Sequence, residues 1–196
     1  MNNQELQQLI ADYLHRTDLA ALLPTWIDMA RQRIGRDLRS QYNQVVLDPF
    51  STTAQISPLP ADYRGMKEIS YTQGVARIQL RGGSVDALAA YAQTGIGTRW
   101  YRVDGMNIET VPYQARDYRM IYFSNPSALV IDTDTNDVLT NYPYLYLYAA
   151  LVEGFFYTQD AGGREKALEN YTSEVSELNR QSANADAGAQ LTMGNY

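Results

Sequence analysis

Residues 141–157 read NYPYLYLYAALVEGFFY, and the fold turns on whether they form a helix or a strand. Tyr142, Tyr144, Tyr146 and Tyr148 alternate like the residues of a half-buried strand. Helical spacing accounts for more of the segment. Leu145, Ala149, Val152 and Phe156 form one apolar stripe, and Leu147, Leu151 and Phe155 form another. Pro143 suits a first helical turn after an Asn141 or Tyr142 cap, where its missing N–H leaves no bond unmade. The spacing predicts a helix that is apolar nearly all round and therefore central. Glu153 and Gly154 interrupt the apolar run, so a buried helix is expected rather than a membrane span.

Working outward, Gly162-Gly163 reads as the break after this helix. A last helix follows from Arg164 to about Ser182, with Leu168, Tyr171, Val175 and Leu178 at heptad spacing and glutamates on its other faces. Toward the N-terminus, residues 4–14 place Leu6, Leu9, Ile10, Tyr13 and Leu14 on one face. Thr17 or Asp18 is the expected cap of a second helix, which carries Leu23, Trp26, Ile27, Ala30, Ile34 and Leu38. Pro24 fits a first turn, which makes Leu19–Leu23 a separate short turn.

The middle of the chain changes period. Val45–Leu47, Ala54–Ile56, Met66–Tyr71, Ala76–Leu80, Thr98–Val103, Met106–Val111 and Tyr118–Phe123 are short β-forming runs. Gln73-Gly74 and Asp104-Gly105 read as hairpin turns, and Val85–Gln93 as a short helix opened by Ser84. The expected architecture is α+β, mainly α. Residues 1–42 and 140–182 form a four-helix bundle, 43–139 a β-rich insert with one short helix, and 183–196 an extended C-terminal tail.

Composition narrows the chemistry. The chain has 196 residues, no Cys and a single His, which removes disulfides, thiolate metal sites, Cys nucleophiles and His-pair zinc motifs. Net charge is −6, so a whole-chain basic surface for duplex DNA is absent. The acidic excess grows toward the C-terminus: residues 1–42 are neutral, 43–139 carry −2 and 140–196 carry −4. The N-terminus has neither a basic n-region nor an apolar h-region, so no signal peptide is read. Tyrosine is abundant, 16 against 4 Phe and 2 Trp, and suits both half-exposed strands and surfaces that become interfaces.

No motif supplies a catalytic set. Asp132-Thr133-Asp134-Thr135-Asn136 opens like a calcium loop, but Asp137 and Pro143 stand where that loop needs Gly and Glu, so it reads as a polar loop leading into a helix cap. Arg81-Gly82-Gly83-Ser84 resembles an anion-cradling turn but matches neither phosphate-binding fingerprint. His15 reads as a helix-terminal or surface residue. Catalytic residues, metal and cofactor are all read as none. Arg31, Arg33, Arg36 and Arg39 are the densest basic run, either a solvated helix face or an inter-subunit or channel stripe.

Three segments resemble tailed-bacteriophage adaptor (head-to-tail connector) proteins. They are TDLAALLPTWI at 17–27 running into ARQRIGRDLR at 30–39, LPADY at 59–63, and TNYPYLYLYAAL at 140–151. The third departs from the common pattern, with Tyr144 where an acidic residue is usual. The resemblance implies a structural virion protein of the neck, between capsid and tail, made in the host cytoplasm. It implies a homo-oligomeric ring, commonly twelve-fold, beneath the portal protein. Such a ring extends the channel through which genomic DNA passes without sequence-specific binding, and it offers a surface to neck or tail proteins; no membrane is involved. In related adaptors the C-terminal segment docks on the portal. Here Leu191, Thr192, Met193 and Tyr196 are the candidates, with Leu191, Met193 and Tyr196 at near-alternate positions suited to an extended docking peptide. The competing readings are a tail-associated cell-wall glycosidase and a carbohydrate-binding tail module using Tyr-rich strands.

Overall fold

The computed structural model describes residues 1–83 and 98–192, with side chains as far as Ala185 in the last helix. The chain divides into two compact units, Met1–Asn43 with Asn125–Tyr196, and Gln44–Ser124.

The first unit is helical. Helix α1, Asn3–Leu14, begins at a capping box in which the Asn2 side chain accepts from the Glu5 N–H while the Glu5 carboxylate accepts from the Asn2 N–H, both at 2.9 Å. Its next N–H groups are taken by the polar loop at 132–134: Asn3 N donates to Asp134 O at 2.9 Å and Gln4 N to Asp132 O at 3.0 Å. The segment that resembled a calcium loop thus caps a helix, and Asn136 caps the next one through the Leu139 N–H. His15 closes α1 in the left-handed region, at φ 51°. A 3₁₀ turn at Ala20–Leu22 leads into α2, Leu23–Asp37, with Pro24 in the first turn. Thr17 and Asp18 do not cap α2; Asp18 pairs with Arg16 at 2.6 Å instead.

Helix α3, Asp137–Asn141, is short, and α4, Pro143–Tyr157, is the helix expected from the opening stretch. Helices α1, α2 and α5, Ala161–Thr192, each pack on α4. The break before α5 is not the glycine pair. The chain turns at Gln159, φ 59°, and Gly162 and Gly163 lie within the first turn of α5, where Asp160 accepts from the Gly163 N–H at 2.9 Å. The buried stripe of α5 is Ala167, Tyr171, Val175 and Leu178, while Leu168 is 43% exposed.

The second unit consists of two four-stranded sheets. Strands β1 (Gln44–Thr52), β8 (Arg116–Ser124), β3 (Tyr63–Gln73) and β4 (Ala76–Gln79) form one antiparallel sheet in that order. In the other, β2 (Ile56–Pro58), β7 (Asn107–Val111) and β6 (Trp100–Asp104) are antiparallel, and β5 (Arg81–Gly82) adds to β6 in parallel. Phe50, Ile69, Tyr71, Ile108, Tyr118 and Met120 come from both sheets into one core. Both hairpins place glycine first in a two-residue turn, Gly74-Val75 and Gly105-Met106, at φ 62° and 58°. A positive φ at the first turn residue is what glycine supplies without steric cost.

Three expectations are corrected. The protein is not a mainly α four-helix bundle. Among the described residues it has five α-helices and eight strands, and it is α+β with a large β share. The helix expected to be central is so: the other helices pack on α4. The tail is not extended as far as Thr192, because α5 runs on through it. Arg81-Gly82, expected to turn into the helix opened by Ser84, is strand. Ser84 and the helix expected at Val85–Gln93 lie outside the described residues.

Candidate functional site

What the structure offers is surface. A shallow depression of about 390 Å³ on α1 is lined by Gln4, Glu5, Gln8, Leu9 and Asp12, and Gln8 is already bonded to Asp12 at 2.8 Å. It brings together no nucleophile, base and oxyanion donors.

The four arginines of α2 and its exit are not displayed together. Arg31 pairs with Asp28 at 2.7 Å and donates to the Pro126 carbonyl at 3.3 Å. Arg33 pairs with Glu153 of α4, with both side chains largely buried, and lies 5.9 Å from the Tyr171 ring. Arg39 is half-buried; its N–H donates to the Asn179 side chain at 2.6 Å and its guanidinium to the Leu38 carbonyl at 2.9 Å. Arg36 pairs with Asp37 and is the most exposed, at 71%. Asp37 lies within the run itself, but Glu153 and Asn179 come from α4 and α5, far along the chain. The arginines mostly tie α2 to its neighbours. Asn179 completes this by donating to the Asp37 carbonyl at 3.0 Å, and the Tyr171 hydroxyl donates to the Asp37 carboxylate at 3.0 Å. Burial, reinforced by that carboxylate, pushes the Tyr171 hydroxyl well above the usual tyrosine range.

Of the C-terminal candidates, Leu191 and Thr192 belong to α5, and Met193 and Tyr196 lie outside the described residues. Among the side chains described, as far as Ala185, the last buried one of α5 is Leu178, and the helix backbone runs on to Thr192.

Sequence reasoning did not single out the aromatic surface of the helical unit. Tyr144 and Tyr148 stack on α4 with ring centroids 6.2 Å apart. Tyr144 is 56% exposed, and Tyr13 on α1 is 48% exposed. Partial burial raises the Tyr148 hydroxyl above its ordinary value, and Tyr13, Glu174 of α5 and Tyr144 add to the rise. An open face of α4 is therefore flanked by α1 and α5. The available signal was the Tyr142–Tyr148 alternation, which puts two tyrosines a turn apart on any helix. At the other end of α4, Phe156 and Tyr157 are 62% and 57% exposed, and the Tyr157 ring lies 5.8 Å from that of Trp26. Exposed aromatic side chains at this density mark an interaction surface.

Compared with known families, residues 1–194 match the model of the SU10 adaptor protein. The chain belongs to that family. No curated protein matches it. As a family member it is a bacteriophage structural adaptor and a virion component. Among the described residues no helix is long and apolar enough to cross a membrane.

Proposed function

We propose that this adaptor forms a closed ring beneath the portal protein, commonly twelve-fold, extends the channel through which genomic DNA passes, and presents a surface to neck or tail proteins. The observation that carries the reading is the family match over residues 1–194. The surface supports it: aromatic side chains left exposed on a helical unit whose own core is closed call for neighbouring subunits or partners. The charge also suits the role. The helical unit holds 8 Lys and Arg against 15 Asp and Glu, and a net negative wall lets a phosphate backbone slide without sticking. The end of α5, with Leu191, Thr192, Met193 and Tyr196, is the segment proposed to contact the portal. Of that segment, Leu191 and Thr192 belong to α5.

The test is co-sedimentation of the purified protein with the portal of the same phage. A stable complex in which the adaptor is present in many copies per portal is expected. A protein that never enters the portal fraction would remove the assignment.

A further inference from the structure

The chain neutralises most of its cations internally. Among the described residues at least nine Lys and Arg side chains pair with a carboxylate. Arg116 and Arg164 instead lie over the rings of Tyr71 and Phe156, at 4.0 and 5.0 Å. Against that background two arginines differ. Arg81 and Arg99 are exposed, and among the described residues neither guanidinium has a carboxylate, aromatic or hydrogen-bonding partner. They are backbone neighbours, with Arg81 N donating to Arg99 O at 2.9 Å. They sit at the outer edge of the second sheet, where β5 is the terminal strand.

The helical unit has the complementary deficit. Its open α4 face presents the stacked Tyr144 and Tyr148 beside exposed Tyr13. The exposed Glu174 near Tyr148 has no cationic partner among the described residues. Guanidinium groups favour such a setting twice over, stacking on tyrosine rings and pairing with the carboxylate. Tyrosine and arginine are also the side chains that dominate binding energy at protein interfaces.

We infer that the Arg81–Arg99 corner of one copy docks on the Tyr144–Tyr148–Glu174 face of the next copy. The contact joins two different patches, so it is heterologous, and repeated around an axis it closes a ring. The inference rests on the ring reading above and specifies which surfaces meet. A DNA backbone is the lesser candidate for the arginines, since firm hold on a duplex takes several phosphate contacts rather than two.

The experiment compares assembly of the full-length protein on its portal for wild type, R81E/R99E, E174R and the combination of all three. Thermal melts confirm folding, and R81Q/R99Q serves as a milder second variant. Each reversal alone should weaken subunit association about tenfold or more, and the combination should recover much of it. Wild-type assembly with no effect of the reversals would overturn this contact and leave the ring standing. Losses that the combination does not recover would overturn the pairing. Loss of DNA binding with normal assembly would assign the arginines to nucleic acid. A wild type that never assembles would bring down the ring reading and this inference with it.

Discussion

Two helical glycines sit at close approaches, and an added methyl group should affect them unequally. Gly35 lies in α2, where a Cβ would stand 2.9 Å from the Asn125 Cα and closer still to its side chain. Gly154 lies in α4, where a Cβ would meet a Leu14 methyl at 2.9 Å and the Trp26 ring at 3.4 Å. Replacing a mid-helix glycine by alanine returns about 1 kcal/mol of backbone entropy and propensity. Against this, overpacking a filled site costs about 1–3 kcal/mol. At Gly35 the obstacle is backbone and cannot rotate away, so Gly35→Ala should be destabilising by about 1–2 kcal/mol. At Gly154 the nearest obstacle is the end of a flexible leucine, so Gly154→Ala should stay within about 1 kcal/mol of wild type. For a chain of this size that separates the two melting temperatures by several degrees, at about 2–4 °C per kcal/mol. Far-ultraviolet circular dichroism during thermal and urea unfolding reads both. A Gly35→Ala variant more stable than wild type would refute the claim that α2 is pressed against Asn125.

Trp26 is 5% exposed, so Trp26→Ala should cost about 3–5 kcal/mol in urea unfolding, and an unchanged midpoint would place the ring outside the core. The Tyr122 hydroxyl donates to Asp62 at 3.0 Å, and burial first, then that carboxylate, pushes it up to about 12. Its folded pKa lies above its unfolded value of 10.0, so the stability it contributes is fully present below pH 10 and is lost as pH rises toward 12. Tyr122→Phe should flatten that alkaline loss, and an unchanged pH profile would deny the linkage. Deleting residues 184–196 leaves every described buried side chain of α5 in place, so the melting temperature should hardly move while portal affinity falls sharply. Undiminished affinity would take the portal contact away from this end.

The elements that repeat a strong period were legible. The α4 stripes, the α1 face and the β8 alternation of Tyr118, Met120 and Tyr122 all follow from spacing. Errors arose where local chemistry lacks a period. Gly162-Gly163 reads as a break, yet Gln159 takes the left-handed turn and Asp160 caps the helix that contains both glycines. β5 is two residues long and carries no pattern. Residues 183–192 look structureless because no apolar stripe marks them. Their alanines, however, are the best helix formers, and they extend a helix already nucleated by the core. The central place of α4 was legible in its all-round apolarity; the mainly α reading failed because the short β runs of residues 44–124 join into two sheets. For the site, exposure decided everything. Arg31 and Arg33 look available in the sequence and are engaged, whereas Tyr13, read on the apolar face of α1, is open.

The central claim, a ring of this chain on a portal, is tested most directly by the mass of the purified complex. Light scattering coupled to size-exclusion chromatography, run on the adaptor alone, the portal alone and their mixture, gives that mass without a tag or a structure. The account predicts a mixture whose mass exceeds that of the portal by a fixed whole number of 22.1 kDa chains, twelve for the commonest ring. A mixture that elutes as the two separate components, or a complex that binds one or two adaptor chains and no more, would contradict it.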